Sequence, residues 1–522
     1  MEANTEVKEK EEQEQRRPAA GAGHHCQEVR LCIPDDTPVP DEQPPHEEQR
    51  YVLRQVPWWV REGNEHAYAP KYICIGPYHS GGGTGDRQLR RKELKRRYAN
   101  ELLEDAGEAH DHAAGRCCGL EQICRKKLQE MSGYIRGFYA GITLDKPTDD
   151  DLVEMMFLDG CFIIRHLYNY ARSTSDDEEL YQSTWAPAQL RNDLLLLENQ
   201  IPFAVLVALF EHLAPRRIKL HGADEKTKRA RLLDMALWYM LNQLWSLPAK
   251  KKPTEELGMA QDVAVDHLLH LLHEAHRAKL LRMHVAEQKC GGLVASCGRG
   301  CPILLMRMLR CLCLRGWGRW PIEEPDSREN IPSAAELTAL GIRIKRVSPE
   351  RGGFLDVRFG KDRVTLEIPS LHVAQTTTPV LQNLIAYEQQ HVGGTDDKGK
   401  LKYPDDYFST YAFLMYNLVS TREDITLLQK RCILHNNFGS DAKIIKYFKN
   451  LCMFNKRRGS NHIEHVLQDL RKCQQQKVYR DWAEVKNYIN SPVKAFLLII
   501  SALVSLSTVL QALIAVRPAQ QH

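Results

Sequence analysis

The stretch from Met1 to Arg17 lacks the apolar core of a translocated leader and is charged instead, so no secretory signal is expected. It also lacks any Asn-x-Ser/Thr sequon, which fits a body exposed to the cytosol. The cysteines number 15, an odd count, and none are spaced Cys-x-x-Cys. They read as reduced thiols rather than a disulfide framework. Charge of one sign is missing as well: 71 Lys and Arg face 67 Asp and Glu, for a net charge of +4. That balance excludes the strong positive field of a nucleic-acid binder. The local basic run Arg87 to Arg97 is interrupted by Glu93 and reads as a solvated helix face.

What is present is an ordinary globular composition, with 43% hydrophobic and 26% charged residues over 522 positions. This is enough for one large or two intimately packed domains. Residues 1–50 are rich in Glu, Gln, Pro and His, and Pro34, Pro38, Pro40, Pro44 and Pro45 break any helix, so a disordered tail is expected there. Order should begin near Tyr51. Tyr72 to Gly76 reads as a short strand or extended piece, and helices are predicted over residues 86–103, 120–140 and 151–170. The last is apolar on nearly every face and should be a buried central helix.

Residues 190–199 repeat that all-round apolar character, with a further helix after Pro202 to about Leu213 and another over residues 232–247. A Lys/Pro-rich break at residues 248–254 opens a variable, loop-rich stretch, about 248–330, which contains an amphipathic helix over residues 262–289. Phe354 to Phe359 and Val364 to Ile368 read as a β-hairpin, and helices follow over residues 378–391, 403–420, 423–434 and 440–454. The expected fold class is mainly α with a small β element (α+β), a helical body spanning residues 51–488.

Residues 495–516 run for 22 positions without a charge and, at about 1.5 Å per residue, are long enough for a hydrocarbon core of about 30 Å. A single C-terminal transmembrane helix is predicted there, with a short tail at residues 517–522. Lys494 and Arg517 bracket it. The basic residues Lys477, Arg480, Lys486 and Lys494 precede the span, so the expectation is a tail-anchored, single-pass protein of the plasma membrane with its body in the cytosol.

Several blocks resemble, in order, those of the plant DUF247 (UPF0481) family: Ile75 to His79 (IGPYH), Lys92 to Leu103, Glu154 to Ile164 (EMMFLDGCFII) and Asp193 to Phe203 (DLLLLENQIPF). Ile331 to Gly341, Leu366 to Pro369, Asn383 to Gln389 (NLIAYEQ) and Gly439 to Asp441 continue the match. Arg96 departs from it, since the family often has Trp there. The resemblance implies a plant-specific, membrane-associated protein with no established biochemical activity. Some grass members of the family are implicated as male determinants of self-incompatibility, which implies recognition of a protein partner.

Candidate chemistry is sparse. The glycine-rich loop Gly81 to Gly85 lacks the Gly-Lys-Ser/Thr ending of a phosphate loop and reads as a connection. His267, His270, His273 and His276 recur every third residue, so the series winds around a helix and reads as a polar face. His273 and His276 stand one residue too close for the i, i+4 zinc motif. Cys290, Cys297, Cys301, Cys311 and Cys313 cluster and are the metal-site candidates, without a knuckle spacing. Ser296 lacks the first glycine of a nucleophile elbow. Asp159 lies within an apolar helix, and Glu198, Asn199 and Gln200 end another, where they read as residues that cap helices and fix their crossing. Asp159, Glu198 and His79 are the candidates for an acid/base site. No cofactor is expected. The leading function is a non-enzymatic recognition or signalling module that binds another protein; the alternative is an enzyme built on those three residues.

Overall fold

The computed structural model describes residues 51–80, 85–107, 115–141, 147–172, 185–218, 220, 222–241, 252–260, 262–290, 331–347, 353, 355–360, 364–374, 377–390, 404–453, 456–458 and 461–475, with 500, 501, 503–505, 507, 508 and 511. The expected tail at residues 1–50 and the loop Gly81 to Thr84 lie outside them.

The first half is built from α1 (Trp58–Arg61), a short 3-10 turn (Glu65–Ala67), α2 (Gly85–Gly107), α3 (Gly115–Glu130), α4 (Ser132–Gly137), α5 (Asp149–Ala171), α6 (Trp185–Leu194), α7 (Phe203–Leu213) and α8 (Glu225–Leu241). Helix α5 is the centre, packed against α2, α3, α7 and α8. It starts where Thr148 accepts from the Asp151 N–H while the Asp151 side chain accepts from the Thr148 N–H, a reciprocal cap beside three carboxylates at the positive helix end. From Leu152 to Asn169 most of its side chains are buried, so it meets neighbours on every side. One such approach needs a glycine: a Cβ on Gly160 would lie 2.3 Å from Leu209 Cδ1 of α7.

The second half continues with α9 (Pro253–Leu257), α10 (Leu268–Cys290), α11 (Ala334–Ala339), β1 (Arg343–Arg346), β2 (Arg358–Phe359), β3 (Thr365–Ile368), β4 (Leu371–Val373), α12 (Thr378–Glu388), α13 (Tyr407–Leu418), α14 (Arg422–Lys430), β5 (Leu434–Asn436), α15 (Asp441–Cys452) and α16 (His462–Gln475). Its centre is α13, which touches α11, α12, α15 and α16. Strands β1 and β3 pair in parallel, β2 and β3 antiparallel, in the order β1-β3-β2. Strands β4 and β5 form a separate parallel pair. Contacts of α10 with α8 and of the 3-10 turn with α12 join the halves, and the buried apolar residues of both form one cluster.

The fold is therefore mainly helical with small sheet elements, and the hairpin is present, though β2 is only two residues long. Five local expectations need correction. Tyr72 to Gly76 is no strand: it bends at Tyr72 and Gly76 and pairs with no strand among the described residues. The helix expected over residues 120–140 is two helices divided at Met131. The helix expected through Asn199 stops at Leu194, because polar side chains of the next six residues bond to backbone groups and replace the helical ladder. Leu434, placed at a helix end, opens β5. Helix α16 was not expected, although Ile463, Val466, Leu467, Leu470 and Cys473 bury one face at helical spacing.

The membrane helix is the larger correction. No helix among the described residues is long and apolar enough to cross a membrane. Within residues 495–516 the described positions, 500, 501, 503–505, 507, 508 and 511, are helical, and the Ser505 and Thr508 hydroxyls bond back to the Ser501 and Val504 carbonyls. The transmembrane span, the tail-anchored single-pass topology, the plasma-membrane localisation and the bilayer as a partner through residues 495–516 are therefore not supported.

Gly160→Ala should destabilise the protein by about 1–3 kcal/mol, the usual cost of overpacking a tight core. Because Leu209 is the group it meets, combining it with Leu209→Ala should cost less than the sum of the two single changes in urea melts. Strict additivity would place the strain elsewhere.

Candidate functional site

Residues 71–76 are irregular chain in which Ile73, Ile75 and Gly76 are buried, with no neighbouring strand among the described residues, so their N–H groups need acceptors from side chains. Asp193, at the end of α6, supplies most of them. Its carboxylate accepts from the N–H of Lys71 at 3.1 Å, of Tyr72 at 2.5 Å and of Ile73 at 2.9 Å, and from Gln189 Nε2 at 2.7 Å. Asn199 Oδ1 accepts from the Ile75 N–H at 2.6 Å, while its Nδ2 donates to the carbonyls of Ile73 and Asp193. Asp159 Oδ2, from the middle of α5, accepts from the Gly76 N–H at 2.8 Å. Gly76 holds a φ of +70°, and a Cβ there would lie 2.7 Å from the Gln200 carbonyl oxygen, so only glycine fits.

Of the three candidates, Asp159 bonds to this segment, while Glu198 meets His79 and the segment Val56 to Arg61. Asp159 is 1% exposed and forms an ion pair with Lys95, whose Nζ also donates to the Cys74 carbonyl at 2.7 Å. Burial pushes the Asp159 carboxyl above its ordinary range, against the opposing pull of Lys95 and the Gly76 N–H. Glu198, also 1% exposed, accepts from the Val56 N–H at 2.5 Å and pairs with Arg61 through Oε1. Its Oε2 faces His79 Nε2 at 3.4 Å. The neighbouring Gln200 donates to the carbonyls of Leu194 and Leu196 and accepts from the Leu269 N–H at the start of α10.

An acid/base pair must reach a substrate, and these carboxylates face inward, bonded to the protein's own backbone and cations. A cavity of about 560 Å³ lies elsewhere, lined by Glu255, Met259, Val263, Glu274, Arg277 and Leu281 among others, and by none of the three candidates.

The histidines of α10 are not a solvated polar face. His267, His273 and His276 are buried, because aromatic and acidic groups of neighbouring segments enclose this part of the helix. His267 Nε2 meets the Tyr51 hydroxyl at 3.1 Å, His270 Nδ1 meets Asp266 at 3.0 Å, and His276 Nδ1 donates to the Leu272 carbonyl. His273 Nε2 lies 3.2 Å from Glu388 Oε1 and 3.0 Å from the Asp405 carbonyl. Burial alone would push His273 down, but Glu274 and Glu388 hold it up at about 9. Glu388 also accepts from the N–H groups of Phe408 and Ser409 and from the Ser409 hydroxyl.

Of the clustered cysteines, Cys290 ends α10, while Cys297, Cys301, Cys311 and Cys313 lie outside the described residues, as does Ser296. Among the described residues no three His, Cys, Asp or Glu side chains come together as metal ligands. Sequence reasoning missed Asp193, Lys95, Asn383 and Glu388. Asn383 accepts from the Leu197 N–H and donates to the carbonyls of Ala67 and Pro379, tying the two halves. The signal was available: Asp193, Asn383 and Glu388 are polar residues set in otherwise apolar runs.

Fold and site define a class of protein: a mainly helical body whose buried carboxylates and amides hold its own backbone. A family model described as a plant protein of unknown function, DUF247, matches residues 53–507. The chain belongs to the DUF247 family. It is 25% identical over 400 residues to a UPF0481 protein of Arabidopsis thaliana, covering 74% of this chain and 69% of that relative. A putative UPF0481 protein of the same plant is 27% identical over 132 residues, 25% of this chain and 23% of the relative. No solved structure matches.

Asp159→Asn strands the Lys95 ammonium, which is 14% exposed, and should cost about 3 kcal/mol, as removal of one member of a buried pair does. Glu198→Gln keeps an acceptor for the Val56 N–H and leaves Arg61 able to reach water, so about 1–2 kcal/mol is expected. Urea melts of the two variants test this ranking, and equal or reversed losses would refute it.

His273 binds its proton more tightly folded than at its ordinary value of 6.5. Its contribution to stability is therefore complete below about 6.5 and lost as the pH rises through about 9. The urea midpoint should fall between pH 6.5 and pH 9.5, and His273→Gln should remove part of that fall. An equal fall in the variant would assign it to other groups.

Proposed function

We propose that the protein is a non-enzymatic recognition module that binds another protein through a face containing Trp58 and Trp59. The observation that carries this reading is the exposure of both indoles, 71% and 50%, on adjacent positions of α1. Their rings meet edge to face, with centroids 5.8 Å apart. Isolated apolar side chains on a surface need no explanation, but two neighbouring tryptophans do. Tryptophan is enriched at the energetic centres of protein interfaces, where a large ring with few torsions binds at little cost in conformational entropy.

The support beneath them is rigid. Arg61, in the same helix, pairs with the buried Glu198 and donates to the Val56 carbonyl at 2.8 Å, while the Val56 N–H is held by the same carboxylate. A preorganised aromatic pair loses little freedom on binding. Glu198 thus has a function without chemistry: it positions the helix that carries the indoles. The self-incompatibility role implied by the family resemblance would be one instance of such recognition.

Proximity labelling in the plant's own tissue, comparing the native protein with Trp58→Ala and Trp59→Ala, tests the reading. Both variants should keep native stability within about 0.5 kcal/mol, as exposed positions do, and lose the same labelled partner. Identical labelling by all three proteins would overturn it.

A further inference from the structure

Strands β4 and β5 come from segments far apart in the chain, yet their parallel register places His372 directly opposite His435. Leu371 and Val373 turn into the core, so the strand alternation sends His372 to the outer face, where it is exposed and His435 half-buried. There the two imidazoles lie face to face, with centroids 4.2 Å apart and planes inclined by 6°. The buried histidines of α10 each bond to a neighbouring group, as does His462, which reaches the Leu355 carbonyl. Neither ring of the stacked pair has a hydrogen-bond or ion-pair partner of that kind among the described residues.

We propose that His372 and His435 form a two-imidazole site for one divalent transition-metal ion of the zinc and nickel class. Zinc lies about 2.0–2.1 Å from an imidazole nitrogen, so two nitrogens on one ion are separated by about 3–4 Å. The stacked rings lie parallel with centroids 4.2 Å apart, so binding requires both to turn about their side-chain torsions until one nitrogen of each faces the same ion, while the strand register holds their backbones side by side. The backbone preorganisation is the decisive element. The register fixes both Cα positions, and the Leu371 N–H and the Asn437 N–H bond to the Ile433 and Val373 carbonyls at 2.7 and 2.9 Å, one at each end of the pair.

Neutral imidazole suits ions of this class better than it suits calcium or magnesium, which take oxygen ligands. Since no third His, Cys, Asp or Glu joins them among the described residues, the protein supplies two ligands and water fills the remaining positions. A bound ion would cross-link β4 to β5, and with them the approach to α12 and the approach to α15.

The full chain holds 21 histidines and 15 cysteines, so the test is a difference. Zinc and nickel chloride are titrated calorimetrically, under a non-chelating reductant, into the native chain and into His372→Phe and His435→Phe. Phenylalanine keeps a stacked ring and removes the donor. The native protein should bind one equivalent that each variant binds at least about tenfold more weakly, since losing even a residue behind a ligand weakens metal binding by about 10–100-fold. Saturating zinc should also raise the melting temperature of the native protein more than that of either variant. If a phenylalanine variant does not fold, His372→Asn and His435→Asn give the same comparison. Equal stoichiometry and affinity in the native chain and the folded variants would overturn the site.

Discussion

The structure depends on one constraint: the peptide at residues 71–76, with Ile73, Ile75 and Gly76 buried, has no strand beside it among the described residues to take its hydrogen bonds. An unpaired buried N–H costs free energy comparable to a lost hydrogen bond. Asp193, Asn199 and Asp159 meet this demand from two different helical segments. Their own positions are thereby fixed. Helix α6 stops at Leu194 and the chain turns through Glu198, Asn199 and Gln200, whose side chains reach backward to the carbonyls of Asp193, Leu194 and Leu196 and outward to Val56 and Leu269. The peptide at residues 71–76 acts as a template about which the helices of the first half are arranged.

The same logic joins the second half. Asn383 in α12 bonds to backbone on both sides of the junction, and Glu388 collects the N–H groups at the start of α13 while facing His273 of α10. Burying a carboxylate is tolerable only with such partners. Burial raises Asp159 and Asp193, and the bonds to their oxygens oppose it. Their perturbation follows from this structural work, so perturbed acidity in this core is no guide to catalysis. The opposite directions at His273 and His276, about 9 and about 3, arise in one helix from the presence of carboxylates at the first and the dominance of burial at the second.

Much of this was legible where a side-chain pattern repeats. The all-round apolar run of α5 marks a central helix, and Asp149 to Asp151 mark its start; the β-formers around Gly360 mark the hairpin. Asp159 and Glu198 stand out as polar residues in apolar company, and the structure bonds the first to the Gly76 N–H and the second to the Val56 N–H. The parts that were not legible depend on long-range pairing. Residues 190–199 keep an apolar pattern whether or not they are helical, because Leu195 to Leu197 are buried in turns as well, and nothing local reveals that Asn383 will bond to Leu197. The histidines of α10 looked polar by type, and only the aromatic rings around them made their face an interior.

Saturation of the core has a consequence for where binding chemistry is available. A side chain that already completes another group's hydrogen bonds acts on an outside molecule only by abandoning them, and the cost of orphaning a buried partner, about 1–3 kcal/mol each, falls on the folded protein. Asp193 and Glu388 each answer to several backbone donors, and Asp159 to the Gly76 N–H and the Lys95 ammonium, so recruiting any of them would orphan more than one group. Trp58, Trp59, His372 and His435 carry no such obligation. They lie on short elements whose backbones are held from below, the first pair by Glu198 and the second by the register of β4 and β5. The buried polar network and the surface groups proposed to act are thus two sides of one arrangement, in which the interior fixes geometry and leaves the exposed rings free to bind.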